Sequence, residues 1–441
     1  MYTFQPDFFI DYDAVIKATP FYQKYEAIFR GLDLSCFDDR RNDKGRKSYS
    51  RHAILRALIV KTLEKLETIP DLIYYLKSNP VLLAMCAFEN NKLPHKSQFY
   101  RFLKHTKNSE IQKIRILANQ KLIDADAITI NTFIMDSKPI LANTRENNPK
   151  NPAPKRNKNT KIKRNPQASF GYYSTETKSD HKKLVKCFWG YRTHVVVSKE
   201  GIPLIECTLP NNFTDDKVAV RLIHALKKNY KFKSDSVFIA DARYDVKELY
   251  NIIVKKYKSK PYIALNPRNH GEPKTLGPNG RPLCDANIEM KSWGIWVEDN
   301  RKRAKFRCPI KTRKKFRKLY GNRCPVNHDL FCKGKKYGCT KYLDITNDPR
   351  SQVQRDTEDF QRTYALRMTV EQYFARFGNR TVEHTKHYSL KSVKNQISIA
   401  HLAMSLVALA AVNIHRNESI RCYKTFFESL NNRNNLLLTA S

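Results

Sequence analysis

The chain has 441 residues, with 81 Lys and Arg against 42 Asp and Glu, giving a formal net charge of +39. That length suits about two or three domains with buried cores and excludes a small peptide-like module. The charge is far beyond what solubility needs and points to a polyanionic partner, of which nucleic acid is the commonest.

The N-terminus, MYTFQPDFFIDYDAVIK, carries acids early and lacks a basic start before a long apolar run, so no secretory leader is expected. Ten cysteines without such a leader suggest reduced thiols and a cytoplasmic protein. From SYSRHAILRALIVKTLEKLE onward, apolar residues recur at three- and four-residue spacing, which predicts an all-helical unit over residues 1–120. Its basic residues Arg51, Arg56, Lys61, Arg101 and Lys104 suit either a helix-turn-helix-like DNA contact or a packed bundle with a wet basic face.

The β-branched run AITINTFIMDS, residues 127–137, predicts a strand ending on Asp136. A Pro- and Lys-rich segment follows, containing Lys155 and Arg156, and is expected as a mobile basic loop over residues 143–180. KCFWGYRTHVVVS and IPLIECTLP read as a β-hairpin, FTDDKVAVRLIHALKKNY as a helix capped at Thr214, and SDSVFIADARYD as a buried strand ending on Asp241. DVKELYNIIVKKY and KPYIALNP give a further helix and strand, closing a segment over residues 121–267.

Residues 268–350 lack regular patterning and form a basic, Cys-containing insertion. The stretch RKRAKFRCPIKTRKKFRK, residues 301–318, has eleven Lys or Arg, Arg313 and Lys314 among them, and no acid. Cys308, Cys324, Cys332 and Cys339 lie here without a Cys-x-x-Cys pair, so structural Zn²⁺ and free thiols both remain open. Residues 351–441 are helical; ISIAHLAMSLVALAAVNIH is interrupted by polar residues and reads as a buried helix rather than a membrane span.

Asp136 and Asp241 on neighbouring strands would reach one divalent cation, and a third carboxylate from a later helix would complete a two-metal site for phosphodiester chemistry. On a helix at ~100° per residue, Tyr364, Arg367 and Glu371 share one stripe beside an apolar flank of Leu366, Val370, Tyr373, Phe374 and Phe377. A surface Arg–Glu pair four residues apart is the plainer alternative, worth only about 0.3–0.5 kcal/mol.

These pieces together resemble the DDE transposases of bacterial insertion sequences, whose catalytic domain is ribonuclease H-like. IMDS looks like their first acidic motif, IADARYD like the second, and YALRMTVEQYF like the third, within a signature of Tyr, two residues, Arg, three residues, Glu, six residues, Lys. The Lys position here is Gly378, a departure, with Arg376 and Arg380 nearby.

The resemblance implies an α/β fold, a mixed sheet flanked by helices after a helical N-terminal domain. It also implies Asp136, Asp241 and Glu371 as ligands of two Mg²⁺ or Mn²⁺ ions. Tyr364 and Arg367 would contact DNA-end phosphates; Arg376, Arg380, Lys155, Arg156, Arg313 and Lys314 are further candidate DNA contacts. The expected partners are double-stranded DNA and a second copy of the chain, with no membrane. A catalytically inactive, transposase-derived DNA-binding regulator is the alternative.

Overall fold

The computed structural model describes residues 16–39, 48–148, 162–176, 183–266, 276–298, 301–327, 336–344, 349–350, 352–378, 382–428 and 430. The chain forms two compact units, one of Met1–Thr129, Ser137–Thr214 and Val370–Ser441, the other of Ile130–Asp136 and Asp215–Thr369. Lys155, Arg156, Cys332 and Arg380 lie outside the described residues.

The first unit begins with helices α1 (Pro20–Arg30), α2 (Arg51–Leu63), α3 (Ile69–Lys77), α4 (Pro80–Met85), α5 (Lys96–His105) and α6 (Asn108–Asp124). Local chemistry starts them: Thr68 and Asp71 form a reciprocal capping box at α3, and Ser50 caps α2 by accepting from Ala53 N. Two of the basic residues weighed for DNA contact are spent inside. Arg51 pairs with Glu110 at 2.6 Å, and Lys61 donates to the Leu66 carbonyl at 2.7 Å, burial pulling its ammonium down to about 8. Arg101 and Lys104 are exposed.

The unit closes with α13 (Leu390–Asn413), which is long and apolar enough to cross a membrane yet is 94% buried inside the protein over its most apolar window. It packs on α6, α5, α1, α2 and β4 (Pro203–Pro210). Several of its polar side chains find partners internally: Ser398 donates to Glu206 at 2.5 Å, Glu206 pairs with buried Arg115, and Asn395 donates to the Leu103 and Thr106 carbonyls.

Strand β1 (Thr132–Leu141) contributes its first half to one unit and its second half to the other. The main sheet, counted among the described residues, has the order β2 (Ser169–Glu176), β3 (Lys183–Ser198), β1, β5 (Val237–Ala240), β6 (Lys260–Ile263), with β4 also on β3. β2–β3 and β3–β4 are antiparallel, whereas β1–β5 and β5–β6 are parallel. This is the expected mixed sheet, flanked by helices and preceded by a helical N-terminal region.

In the second unit, α7 (Asp215–Asn229) follows the hairpin as expected, and α8 (Lys247–Tyr250) continues into a π-helical turn, Asn251–Lys256. Phe133, Phe232 and Phe238 interlock at its core, with centroids 5.0–5.7 Å apart. Four expectations are corrected. β1 runs on past Asp136 to Leu141, because Leu141 N bonds the Glu383 carbonyl at 2.7 Å and Ala142 N bonds Trp189 O at 3.0 Å. The basic loop ends earlier, since β2 forms on the edge of β3.

The insertion is also regular: β7 (Lys291–Glu298), β8 (Arg301–Arg307) and β9 (Thr340–Asp344) make a three-stranded antiparallel sheet, with short helices α9 (Pro309–Thr312) and α10 (Lys314–Leu319). Finally, the Tyr364–Glu371 stretch is not one helix. α11 (Glu358–Tyr364) gives way to a 3-10 turn, Ala365–Arg367, before α12 (Met368–Gly378), so the stripe at a uniform 100° does not carry across it. The apolar flank holds nonetheless, with Val370, Tyr373, Phe374 and Phe377 buried.

Candidate active site

The last pair of the parallel β1–β5 ladder is Met135↔Ala240, so Asp136 and Asp241 are the next residue on each of two adjacent strands. Strand neighbours lie about 4.8 Å apart, and in-register residues point to the same face, so the ladder sets two carboxylates side by side. Apolar runs on both strands, Phe133–Met135 and Phe238–Ala240, bury the ladder and fix that register.

Asp241 remains extended (φ −77°, ψ 177°) and caps a 3-10 turn, its Oδ1 accepting from Arg243 N at 2.9 Å. Arg243 reaches Asp215, at the start of α7, at 3.7 Å. Burial pushes the Asp241 carboxyl above the usual range, and Asp215 adds to this against the lowering pull of Arg243 and Arg367. Arg367 Nη2 stands 3.5 Å from Asp136 Oδ2. Two hard-oxygen donors, one destabilised as an anion by burial, form a donor set that fits Mg²⁺ or Mn²⁺.

Glu371 is an exposed residue in the first turn of α12, four residues after Arg367 and on the side of the chain that belongs to the first unit. Tyr364 stacks on Phe360 at 5.5 Å, and Phe360 on Tyr262 at 5.6 Å. At Gly378 an added Cβ would lie 2.2 Å from Glu383 Oε1 and 3.0 Å from Lys138 Nζ, so the ends of these two flexible side chains would have to shift to admit it. Lys138 pairs with Glu383 at 2.6 Å, so an ammonium group from β1 already stands at the end of α12. Arg376 is half-buried and donates to the Gly201 carbonyl at 3.4 Å.

Arg313 precedes α10 and lies 5.9 Å from the Phe316 ring; Lys314 beside it is exposed. Of the cysteine set, Cys308 and Cys339 are buried together, and a hydrogen bond from Cys339 draws the Cys308 thiol down to about 6 while pushing that of Cys339 up. Cys324 packs on the same cluster, which also contains Cys284, a member that sequence spacing did not suggest. Among the described residues, no three Cys, His, Asp or Glu side chains are placed to hold a metal ion.

Sequence reasoning missed Asp215, Arg243, Lys138 and Asp245. Asp245 is fully buried and takes Arg350 at 2.7 Å, Tyr250 OH at 2.8 Å and Asn266 N at 2.8 Å. Only its place in ADARYD, four residues after Asp241, hinted at it.

Comparison with known proteins gives two family matches, a transposase DDE domain over residues 128–406 and a transposase domain over residues 10–105. No curated protein matches the chain. Among solved structures, the cryo-EM structure of the piggyBac transposase synaptic complex with hairpin DNA is similar at a TM-score of 0.39 and 10% identity, covering 95% of this chain and 79% of that one. With the DDE-domain match spanning well over half of the residues, the chain belongs to the DDE transposase family.

Proposed function

We propose that the protein is an active DNA transposase. It binds the terminal inverted repeats of an insertion sequence, cleaves the element ends by phosphodiester hydrolysis and joins the freed 3′-hydroxyls to target DNA. The observation that carries this reading is the register of β1 and β5, which sets Asp136 and Asp241 side by side directly after the Met135↔Ala240 pair.

Asp136 and Asp241 would hold Mg²⁺ or Mn²⁺, and Glu371 is assigned as the third acid on its place in the signature, since no three acids of the described residues stand as a ready-made ligand set. When bound, such ions activate a water or hydroxyl nucleophile and stabilise the leaving oxygen. Arg367 offers planar donors suited to a phosphate, and Tyr364 a ring and hydroxyl beside it. Arg243, held by Asp215, keeps the Asp241 turn in place. The basic α10 with Lys314, and the Pro- and Lys-rich sequence with Lys155 and Arg156, add phosphate contacts that fix position without reading sequence. Two chains would pair two element ends.

The test uses the inverted repeats flanking the gene as labelled DNA ends. Asp136→Asn, Asp241→Asn and Glu371→Gln are each expected to lower Mg²⁺-dependent cleavage by at least about 10³-fold, a loss of about 4 kcal/mol of transition-state stabilisation, with duplex affinity nearly unchanged. Cleavage by a Glu371→Ala protein would remove Glu371 from the site. The alternative, an inactive DNA-binding regulator, draws on Gly378; wild-type protein that binds the repeats and never cuts them would favour it.

A further inference from the structure

The β7–β8–β9 sheet has two unlike faces. On one, Phe306 and Ala304 of β8 and Leu343 of β9 join the buried cluster of Ile288, Met290 and Ile310. Side chains alternate along a strand, so Lys305 and Arg307 point to the opposite face, where Lys305 is cross-strand from Tyr342. There the Arg307 guanidinium lies 4.4 Å from the Trp293 ring centroid and 3.6 Å from that of Tyr337. The Lys305 ammonium lies 4.7 Å from Trp296 and 5.6 Å from Tyr342.

Four rings interleaved with two cations thus stand on one open surface. Trp293 is 39% exposed, Trp296 48%, Tyr337 36% and Tyr342 43%. Nε and Nη1 of Arg307 are buried there without a hydrogen-bond partner. Concentrating large exposed rings on one face marks an interaction site, and the cations select an anionic partner. Duplex DNA offers phosphates but keeps its bases stacked inside, so Lys and Arg alone would serve it. An unpaired strand offers phosphates and open base faces in alternation, which is the pattern of this surface.

We propose that this sheet face binds an unpaired DNA strand, with Trp293, Trp296, Tyr337 and Tyr342 as stacking platforms and Lys305 and Arg307 as phosphate grips. The site uses none of the three acids and goes beyond the catalytic reading. It is tested on the full chain in chelator, using a labelled oligo-dT of about 12 nucleotides followed by fluorescence anisotropy, against an equal-length duplex and inorganic polyphosphate as competitors.

The oligonucleotide is expected to bind and to resist competition by polyphosphate. The Trp293→Ala/Trp296→Ala protein should lose about tenfold or more in oligo-dT affinity with less than about a twofold change for duplex. Trp293→Phe/Trp296→Phe should restore most of the loss, because a ring is returned; this separates stacking from a collapsed sheet. Unchanged oligo-dT affinity in the alanine protein, equal losses for duplex, or no recovery with phenylalanine would each overturn the proposal. Neither cleavage nor divalent ions enter the assay, so its failure leaves the catalytic reading standing, and an inactive Asp136→Asn protein should bind oligo-dT as the wild type does.

Discussion

Lys138 follows Asp136 by two residues, and its ammonium stands at the end of α12 between Glu383, at 2.6 Å, and the Phe374 carbonyl, at 3.2 Å. Position 378 and this ion pair compete for one space, since any Cβ there meets both partners. A cation from β1 thus stands beside position 378, where the signature has its Lys. If Lys138 grips DNA, Lys138→Met should flatten the slope of log affinity against log salt for duplex DNA by about one unit, the share of a single phosphate contact. The Glu383 side chain is 43% exposed, so loss of the pair itself should cost about 1 kcal/mol or less. A salt slope equal to wild type would assign Lys138 to Glu383 alone.

The turn after β5 holds two acids with opposite tasks. Burial raises the Asp241 carboxyl, so Asp241→Asn should leave stability unchanged or slightly increased while removing activity. Asp245 is also penalised by burial, but donors from Arg350, Asn266 and Tyr250 outweigh this and hold its carboxyl below the usual range. Asp245→Ala would take the carboxylate from the Arg350 guanidinium and the counter-charge from Arg355, which keeps its bonds to the Ile263 carbonyl and the Tyr250 hydroxyl, and is expected to cost about 3–5 kcal/mol in chemical denaturation. A cost under about 1 kcal/mol would show that these arginines find other partners. Sequence made the first acid legible and the second not, for a physical reason. Asp241 ends an apolar run, a local signal, whereas the partner Arg350 is 105 residues away. The same limit hid β2, an edge strand whose SFGYYSTE adjoins a Pro- and Lys-rich stretch, and β7–β9, whose solvent face is rich in charge. Hairpin β3–β4 and helix α7 were legible because turn and cap chemistry is local.

Charge and burial meet at the scale of the whole molecule in its response to acid. His194 on β3, His387 before α13 and His401 within α13 are each at most 5% exposed. Burial lowers all three, aided by Arg192, Lys61 and Arg115 respectively, with His194 at about 3 and His387 at about 4. In the folded protein they stay neutral at pH 5, while in the unfolded chain they take up protons below about pH 6.5. Stability is thus full above pH 6.5 and falls with pH until the folded values are reached, by about 2 kcal/mol each for His194 and His387 at pH 5. Asp245 and other carboxylates held below their usual range are still ionised there, so the loss between pH 7 and 5 belongs to the histidines. The +39 charge gives a second route to the same trend, because protonation adds to self-repulsion. Salt separates the two: repulsion between exposed charges is screened within about 8 Å at 0.15 M, whereas burial of a neutral imidazole is not. The melting temperature should therefore drop between pH 7 and 5 at both low and high salt. His387→Gln should reduce that drop, since one protonation is removed from the unfolded chain. A melting temperature independent of pH across this range would mean that the buried histidines become charged without unfolding.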